Sequence, residues 1–145
     1  MGNAGDKVYQ KLKLLSGYMN ELTPLLRDIS QRQYEEDALR RHAAERLAEL
    51  IIEAAIDING ELILAANQPP PDDYYSSFIA LSKLGVCDRT RAERLAPMAG
   101  FRNRLAHEYE AVDDVKAYET IAALPELFRD YVQWVTRYLE RTRPS

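Results

Sequence analysis

The sequence predicts an all-α protein, an antiparallel bundle of four to five helices with up-and-down connections. The chain of 145 residues contains only 6 glycines and is rich in Ala, Leu, Glu and Arg, which have high helix propensity. Apolar residues recur at steps of three and four, the spacing of one face of a helix, and no strand pattern or internal repeat is present. Since 46% of the residues are hydrophobic, we expect one domain over residues 1–145 with a modest core.

Two helices are predicted in the first half of the chain. Residues 1–6 are expected to form a flexible tail. A stripe of apolar residues then predicts the first helix: Val8, Leu12, Leu15, Met19, Leu22 and Leu26. A break is expected from Ile29 to Gln33, followed by a second, longer helix from about Tyr34 to Asn67. The second helix has a charged first part and an apolar second part, so the break and the charged part separate the apolar residues of the two helices.

An acidic stripe runs along the second predicted helix. Its members are four residues apart: Glu49, Glu53, Asp57 and Glu61. Like charges at this spacing repel each other, so we expect arginines of a later helix to offset them. Asp57 lies between Ile56 and Ile58, and it is predicted to be partly buried and to orient Arg102 or His107. A solvated acidic face is the alternative, and it is favoured for Glu49 and Glu61.

The second half of the chain predicts a loop and three further segments. Gln68–Pro71 is expected to form a loop, and Asp73 should cap a short helix from Tyr74 to Leu84 that ends at Gly85. Asp88 should cap a helix from about Arg89 to Tyr109, in which Pro97 either causes a kink or separates two helical pieces.

The last predicted helix runs from about Val115 to Arg141, with Asp113 or Asp114 as its cap. Its apolar face carries an aromatic and aliphatic stripe: Tyr118, Ile121, Leu124, Phe128, Tyr131, Val135 and Tyr138. Such a stripe at helical spacing is typical of a core, so we assign it no chemistry. Residues 142–145 are expected to form a second flexible tail.

Four residues between Phe101 and Tyr109 have side chains suited to phosphate chemistry. His107 can give or take a proton near neutral pH. Arg102 is a permanent planar cation that suits a phosphate, and Asn103 can hold the imidazole in one tautomer. Tyr109 can donate to a phosphate oxygen or accept a transferred group. If the segment is helical, the four side chains can converge, and they suit metal-independent cleavage of RNA by its own 2′-hydroxyl. An alternative stays open: such residues near a helix end often only cap it and pair with acids.

The segment from Phe101 to Tyr109 resembles the signature of the HEPN superfamily. That signature is Arg, a polar residue, a short spacer and His, and Tyr109 two residues after His107 resembles the HepT branch. Three other stretches also resemble the family. Residues 46–59 resemble its long second helix, and the two others are residues 74–85 and the Met98-Ala99-Gly100 sequence before the motif. The resemblance covers roughly residues 8 to 140.

The resemblance implies a HEPN-like homodimer with metal-independent endoribonuclease activity, the toxin of a type VII toxin–antitoxin pair that cleaves RNA such as tRNA or mRNA. Arg102, Asn103, His107 and Tyr109 are its implied catalytic residues, with Asp57 and Arg104 as possible supports. The implied partner is an MNT-type nucleotidyltransferase antitoxin that uses ATP and neutralises the toxin by AMPylation of Tyr109. The alternatives are a catalytically silent HEPN module that binds a nucleotide, RNA or the partner, and a helical dimer whose motif only pairs charges.

Charge and cysteine usage bear on the class of partner and on the compartment. The net charge of −4 argues against a general nucleic-acid binder, but five arginines lie close in sequence and could hold phosphates: Arg89, Arg91, Arg94, Arg102 and Arg104. Salt bridges between these arginines and neighbouring acids are an equally weighted alternative.

The single Cys87 suits a reducing compartment, and neither it nor His42 has partners spaced for a metal. No signal or membrane-spanning pattern is found, so we expect a cytoplasmic protein without metal or cofactor.

Overall fold

The computed structural model describes residues 4–107 and 114–143, and within them it contains seven α-helices and no strand. The predicted all-α fold is therefore confirmed. Five helices have at least nine residues, and the two others are short. The bounds are α1 Ala4–Leu26, α2 Gln31–Glu36, α3 Ala38–Ala65, α4 Tyr74–Leu84, α5 Arg89–Leu95, α6 Met98–Ala106 and α7 Asp114–Thr142.

The three longest helices, α1, α3 and α7, form the centre of the bundle. At one end, Val8 of α1 lies beside Leu62 of α3 and Tyr138 of α7. At the other end, the hydroxyl of Tyr118 donates to the carbonyl of Ile29, 3.1 Å away, so the start of α7 lies next to the end of α1. Helix α1 is therefore antiparallel to both α3 and α7, as the up-and-down prediction requires.

The core lies between these helices and the inner face of α4. Most residues of the apolar stripes predicted on α1 and α7 are buried, and α3 contributes alanines that let its neighbours pack closely. Fully buried large side chains include Leu15, Leu22, Ile51, Ile58, Phe78, Ile121, Phe128 and Tyr131. None of the described helices combines the length and apolar character needed to cross a membrane.

Two predicted boundaries near the first turn are wrong. The segment expected to be a break contains the start of α2, because Ser30 and Gln33 form a reciprocal capping box that starts a helix there. The buried Tyr34 belongs to this short helix and not to the long one. The long helix starts afresh after Asp37, which has φ −101° and ψ 88° and accepts a hydrogen bond from the backbone N–H of Arg40.

Helices α1 and α7 extend into the two segments that were expected to be flexible tails. Helix α1 already begins at Ala4, and α7 continues to Thr142. Residues 1–3 and 144–145 lie outside the described residues. Asp113 also lies outside them, so the structure does not test its predicted role as a cap of α7.

The caps predicted around α4 are confirmed. Asp73 accepts a hydrogen bond from the backbone N–H of Ser76 at 2.7 Å, and hydrogen bonding from Ser76 lowers the pKa of the Asp73 carboxyl. Gly85 ends the helix with φ 86°, a left-handed conformation that glycine adopts without steric cost. Asp88 then caps α5 by accepting from the backbone N–H of Arg91 at 2.8 Å.

Pro97 separates two helices, which decides between the two predicted alternatives. Helix α5 ends at Leu95 and α6 begins at Met98. Proline has no N–H to continue the α5 hydrogen bonds, but its own carbonyl accepts from the backbone N–H of Phe101 and so opens the next helix. The motif arginine therefore lies on a separate helix of nine residues.

A buried polar network connects α3, α4 and α7. The hydroxyl of Tyr131 donates toward Asn59 Oδ1 at 2.7 Å and lies 3.1 Å from the carbonyl oxygen of Ala55. Asn59 Nδ2 donates to Ser77 Oγ at 3.2 Å, and Ser77 Oγ donates to the carbonyl of Tyr74. Burial raises the pKa of Tyr131, so its hydroxyl stays protonated and available as a donor.

Tyr131→Phe should lower the free energy of unfolding by about 1–3 kcal/mol, because Asn59 Oδ1 would remain buried with its donor removed. Chemical denaturation of both proteins measures this difference. Tyr138→Phe is the control: Tyr138 lies seven residues further on in the same helix and is partly buried, and its hydroxyl makes no hydrogen bond within the described residues. Equal stability of Tyr131→Phe and wild type would show that the network contributes nothing.

Candidate functional site

The side chain of Arg102 on α6 is bound to α3. Its Nε and Nη2 atoms both donate to Oε1 of Glu53, at 3.2 and 2.6 Å. The two side chains are only 25% and 32% exposed, so the pair is partly shielded from water. Phe101, the residue before, is buried in the core and anchors α6 against α3. The guanidinium therefore has a defined direction at the protein surface.

Asn103 connects Arg102 to His107. Its side-chain Oδ1 lies 3.4 Å from Nη1 of Arg102, and its backbone carbonyl accepts the N–H of His107 at 3.2 Å. Helix α6 ends at Ala106, and His107 is its exposed C-terminal cap with φ −100° and ψ 91°. Arg102, Asn103 and His107 therefore lie in the second half of α6 and at its C-terminal cap.

The expectation that the motif is helical as far as Tyr109 is wrong at its end. The extended backbone of His107 ends the helix, so a common helical face cannot be used to place the residues that follow. Tyr109, the predicted modification site, lies outside the described residues. Its role stays a prediction from the motif alone.

Asp57 is not the buried acid that the sequence predicted. Its side chain is 56% exposed and accepts a hydrogen bond from Nζ of Lys11 at 3.2 Å. Although Asp57 has isoleucines on both sides in sequence, successive helical residues point about 100° apart, so buried neighbours do not imply burial. The acid that pairs with Arg102 is Glu53, one turn earlier on the same stripe.

The sequence predicted a salt bridge between the acidic stripe and a later arginine, but it did not identify Glu53 as the acid. The stripe predicted that arginines of the later segment would offset the acids on α3, and this is confirmed for Arg102 and Glu53. Only the relative position of α3 and α6 selects Glu53 from four similar acids. Glu49 pairs within its own helix, with Arg46 at 3.2 Å, and its side chain is only 15% exposed, so the solvated position favoured for it is wrong.

Most of the predicted basic cluster is paired with acids. Arg89 contacts Glu93 at 2.8 Å, and Arg91 contacts Asp88 at 3.2 Å and lies over the ring of Trp134. Within the described residues, Arg94 and Arg104 have no carboxylate partner. The Arg104 guanidinium lies 5.8 Å from the centre of the Phe101 ring, a cation–π distance. In the part of the chain that the structure describes, two of the five arginines therefore lack a carboxylate partner.

Cys87 and His42 give no second site. Burial raises the pKa of the Cys87 thiol to about 11, with Asp88 as a further cause, so the thiol stays protonated at neutral pH and is a poor nucleophile. His42 is exposed on α3. Over residues 4–107 and 114–143, no three His, Cys, Asp or Glu side chains lie close enough to hold a metal ion.

Comparisons with known proteins agree with the predicted family and fold. The family model described as ribonuclease HepT-like matches residues 15–133. The tRNA nuclease HepT of Aphanizomenon flos-aquae is 30% identical over 129 residues, which cover 89% of this chain and 87% of that protein. A candidate RNase of Archaeoglobus fulgidus is 33% identical over 93 residues, covering 64% of this chain and 70% of that protein.

A solved structure supports the fold independently. The crystal structure of a toxin–antitoxin with AMP-PNP contains a chain that superposes with a TM-score of 0.82 at 17% identity. The match covers 91% of this chain and 98% of the other. Since the family model spans most of the chain and the motif lies inside the matched region, this protein belongs to the HepT-like ribonuclease family of the HEPN superfamily.

Proposed function

We propose that this protein is a metal-independent endoribonuclease, the toxin of a toxin–antitoxin pair, and that tRNA is its substrate. One observation carries the proposal: α6 holds the motif arginine in a fixed direction and ends at an exposed histidine. The same short helix therefore carries an anion-binding group and, at its C-terminal cap, a proton-transfer group. The similarity to a tRNA nuclease supports the choice of substrate.

The chemistry follows from the residue types. His107 removes the proton of a ribose 2′-hydroxyl, and the 2′-oxygen forms a bond to the adjacent phosphorus. Arg102 stabilises the negative charge that increases on the phosphate oxygens, and Asn103 helps to orient the neighbouring groups. The bond from phosphorus to the 5′-oxygen breaks, and a proton from an acid completes the new 5′-hydroxyl. The products are a 2′,3′-cyclic phosphate and a 5′-hydroxyl.

A homodimer would supply the acid that this step needs. The chain has two histidines, and His42 lies on α3 outside the motif. A second copy of His107, brought close across a two-fold axis, would provide the proton for the leaving oxygen while the first copy acts as base. Arg104 would add positive charge beside the motif. The described contacts give no support to a role for Asp57.

Cleavage of a tRNA mixture by the purified protein, in chelator and in Mg²⁺, tests this activity. We expect equal cleavage in both and fragments with cyclic phosphate ends. The intact mass of the sample must first show that no group is attached to the protein. No cleavage by unmodified, folded protein would instead favour the silent RNA- or nucleotide-binding module. Cleavage that requires Mg²⁺ would contradict the metal-independent mechanism.

The proposed partner is an MNT-type nucleotidyltransferase antitoxin that transfers AMP from ATP to Tyr109, with release of pyrophosphate, in the cytoplasm. Two findings support it: Tyr109 completes the motif two residues after His107, and the toxin–antitoxin neighbour holds an ATP analogue. Incubation with the partner and ATP should add AMP to the wild type and stop cleavage. Tyr109→Phe should gain no mass, whereas Tyr75→Phe, which changes a tyrosine 48% exposed on α4, should be modified normally.

A further inference from the structure

We infer that Glu53 is a positioning residue. It binds one edge of the Arg102 guanidinium, so that the other edge faces an RNA phosphate. The inference rests on the proposed function. Glu53 comes from α3, 49 residues before Arg102, so the contact depends on the tertiary fold and not on helical neighbours. Among the described salt bridges of the α3 stripe, the one to α6 is made by Glu53, whereas Glu49 pairs with Arg46 and Asp57 with Lys11.

The atoms of the contact determine which edge of the guanidinium stays available. A guanidinium group is a planar fork with five N–H donors, and it binds an anion best through two nitrogens of one edge. Glu53 takes the edge formed by Nε and Nη2. The other edge, Nη1 with the outer hydrogen of Nη2, lies on the side of Asn103. A phosphate therefore binds Arg102 on the side of the motif, next to Asn103.

The same carboxylate must also weaken phosphate binding. Glu53 and a phosphate are both negative, and each would lie against the same guanidinium in a partly shielded position. Glu53 thus has two opposite effects: it repels the substrate and it keeps the arginine in the productive direction. Removal of Glu53 should lower KM and kcat together. A residue with a purely structural role would lower the fraction of active protein and leave KM unchanged.

The kinetic test compares Glu53→Ala, Glu53→Gln and Glu49→Ala on tRNA. Glu53→Ala should lower kcat by about 10–100-fold, because misplacement of a binding group by about 1 Å has effects of this size. Its KM should fall several-fold. Glu53→Gln keeps an acceptor oxygen, so it should recover most of kcat while its KM stays low. Glu49→Ala removes the same charge one turn earlier on α3 and should leave kcat unchanged. Wild-type kcat in Glu53→Ala, or no recovery in Glu53→Gln, would overturn the inference.

A binding measurement separates this inference from the proposed activity. The probe is a fully 2′-O-methylated oligoribonucleotide, which cannot be cleaved through its 2′-oxygens. Glu53→Ala should bind it several-fold more tightly than wild type, and this gain should disappear when Arg102→Ala is also present. If the wild type cleaves nothing but this coupling is found, the proposed function fails and the positioning role stands. If Glu53→Ala has the same effect with and without Arg102, the positioning role is wrong whatever the activity.

Discussion

Replacement of His107 by alanine is expected to lower the rate of RNA cleavage by roughly 10²–10⁴-fold, the usual contribution of a positioned acid or base. The substitution should not unfold the protein. The histidine side chain is exposed, and the contact that ends α6 uses its backbone N–H, which alanine also has. Initial rates on tRNA in chelator, beside the thermal unfolding temperature of each protein, measure both effects.

His42→Ala is the matched control for this experiment. It removes the other histidine of the chain, which is also exposed, from a position on α3 outside the motif. Its cleavage rate should equal that of the wild type. Full activity in His107→Ala would remove this residue from the mechanism, and an equal loss in His42→Ala would point to a general effect of histidine removal.

Phe128→Ala should lower the free energy of unfolding by about 3–5 kcal/mol. The side chain of Phe128 is fully buried in α7, and its ring packs edge-on against Tyr131 with ring centres 5.6 Å apart. The expected loss is a large part of the roughly 5–15 kcal/mol that stabilises a typical domain. Chemical denaturation at a fixed protein concentration measures it, because a dimer would make stability depend on concentration.

Leu39→Ala provides the comparison for the core substitution. Leu39 is the second residue of α3 and is 84% exposed, so loss of its side chain should change the free energy of unfolding by no more than about 0.5 kcal/mol. A cost for Leu39→Ala as large as that of Phe128→Ala would mean that Leu39 is covered in solution. A cost below about 1 kcal/mol for Phe128→Ala would contradict the importance of the α7 stripe.

Much of the fold could be predicted because local signals agree with the tertiary structure. The apolar stripe of α7 has a helical period and is buried over most of its length. Asp73, Gly85 and Asp88 cap α4 and α5 as the preferences of their side chains or backbone predict. The prediction was wrong, or left two alternatives open, where two local signals compete. Ser30 and Gln33 start a helix inside a segment that reads as a break, and Pro97 allows either a kink or a restart.

The candidate site could be predicted only as far as it is local in sequence. Arg102, Asn103 and His107 lie within six residues, so the motif alone brings them together. The partner of Arg102 could not be chosen, because Glu49, Glu53, Asp57 and Glu61 have the same spacing and nearly the same chemistry. The rotation and position of α3 relative to α6 decide between them. These depend on the packing of side chains such as Phe101 across the core.

The break at Pro97 also means that the candidate site cannot exist apart from the bundle. Helix α6 has nine residues, whereas an isolated helix shorter than about 12–15 residues is barely stable in water. Its order therefore comes from docking on α3, through buried Phe101 and the Arg102–Glu53 pair. The site can be lost by local opening of this one helix while the long helices remain packed. Heat can therefore inactivate the protein before the whole domain unfolds. Substitutions far from the motif can abolish activity if they weaken the packing of α6.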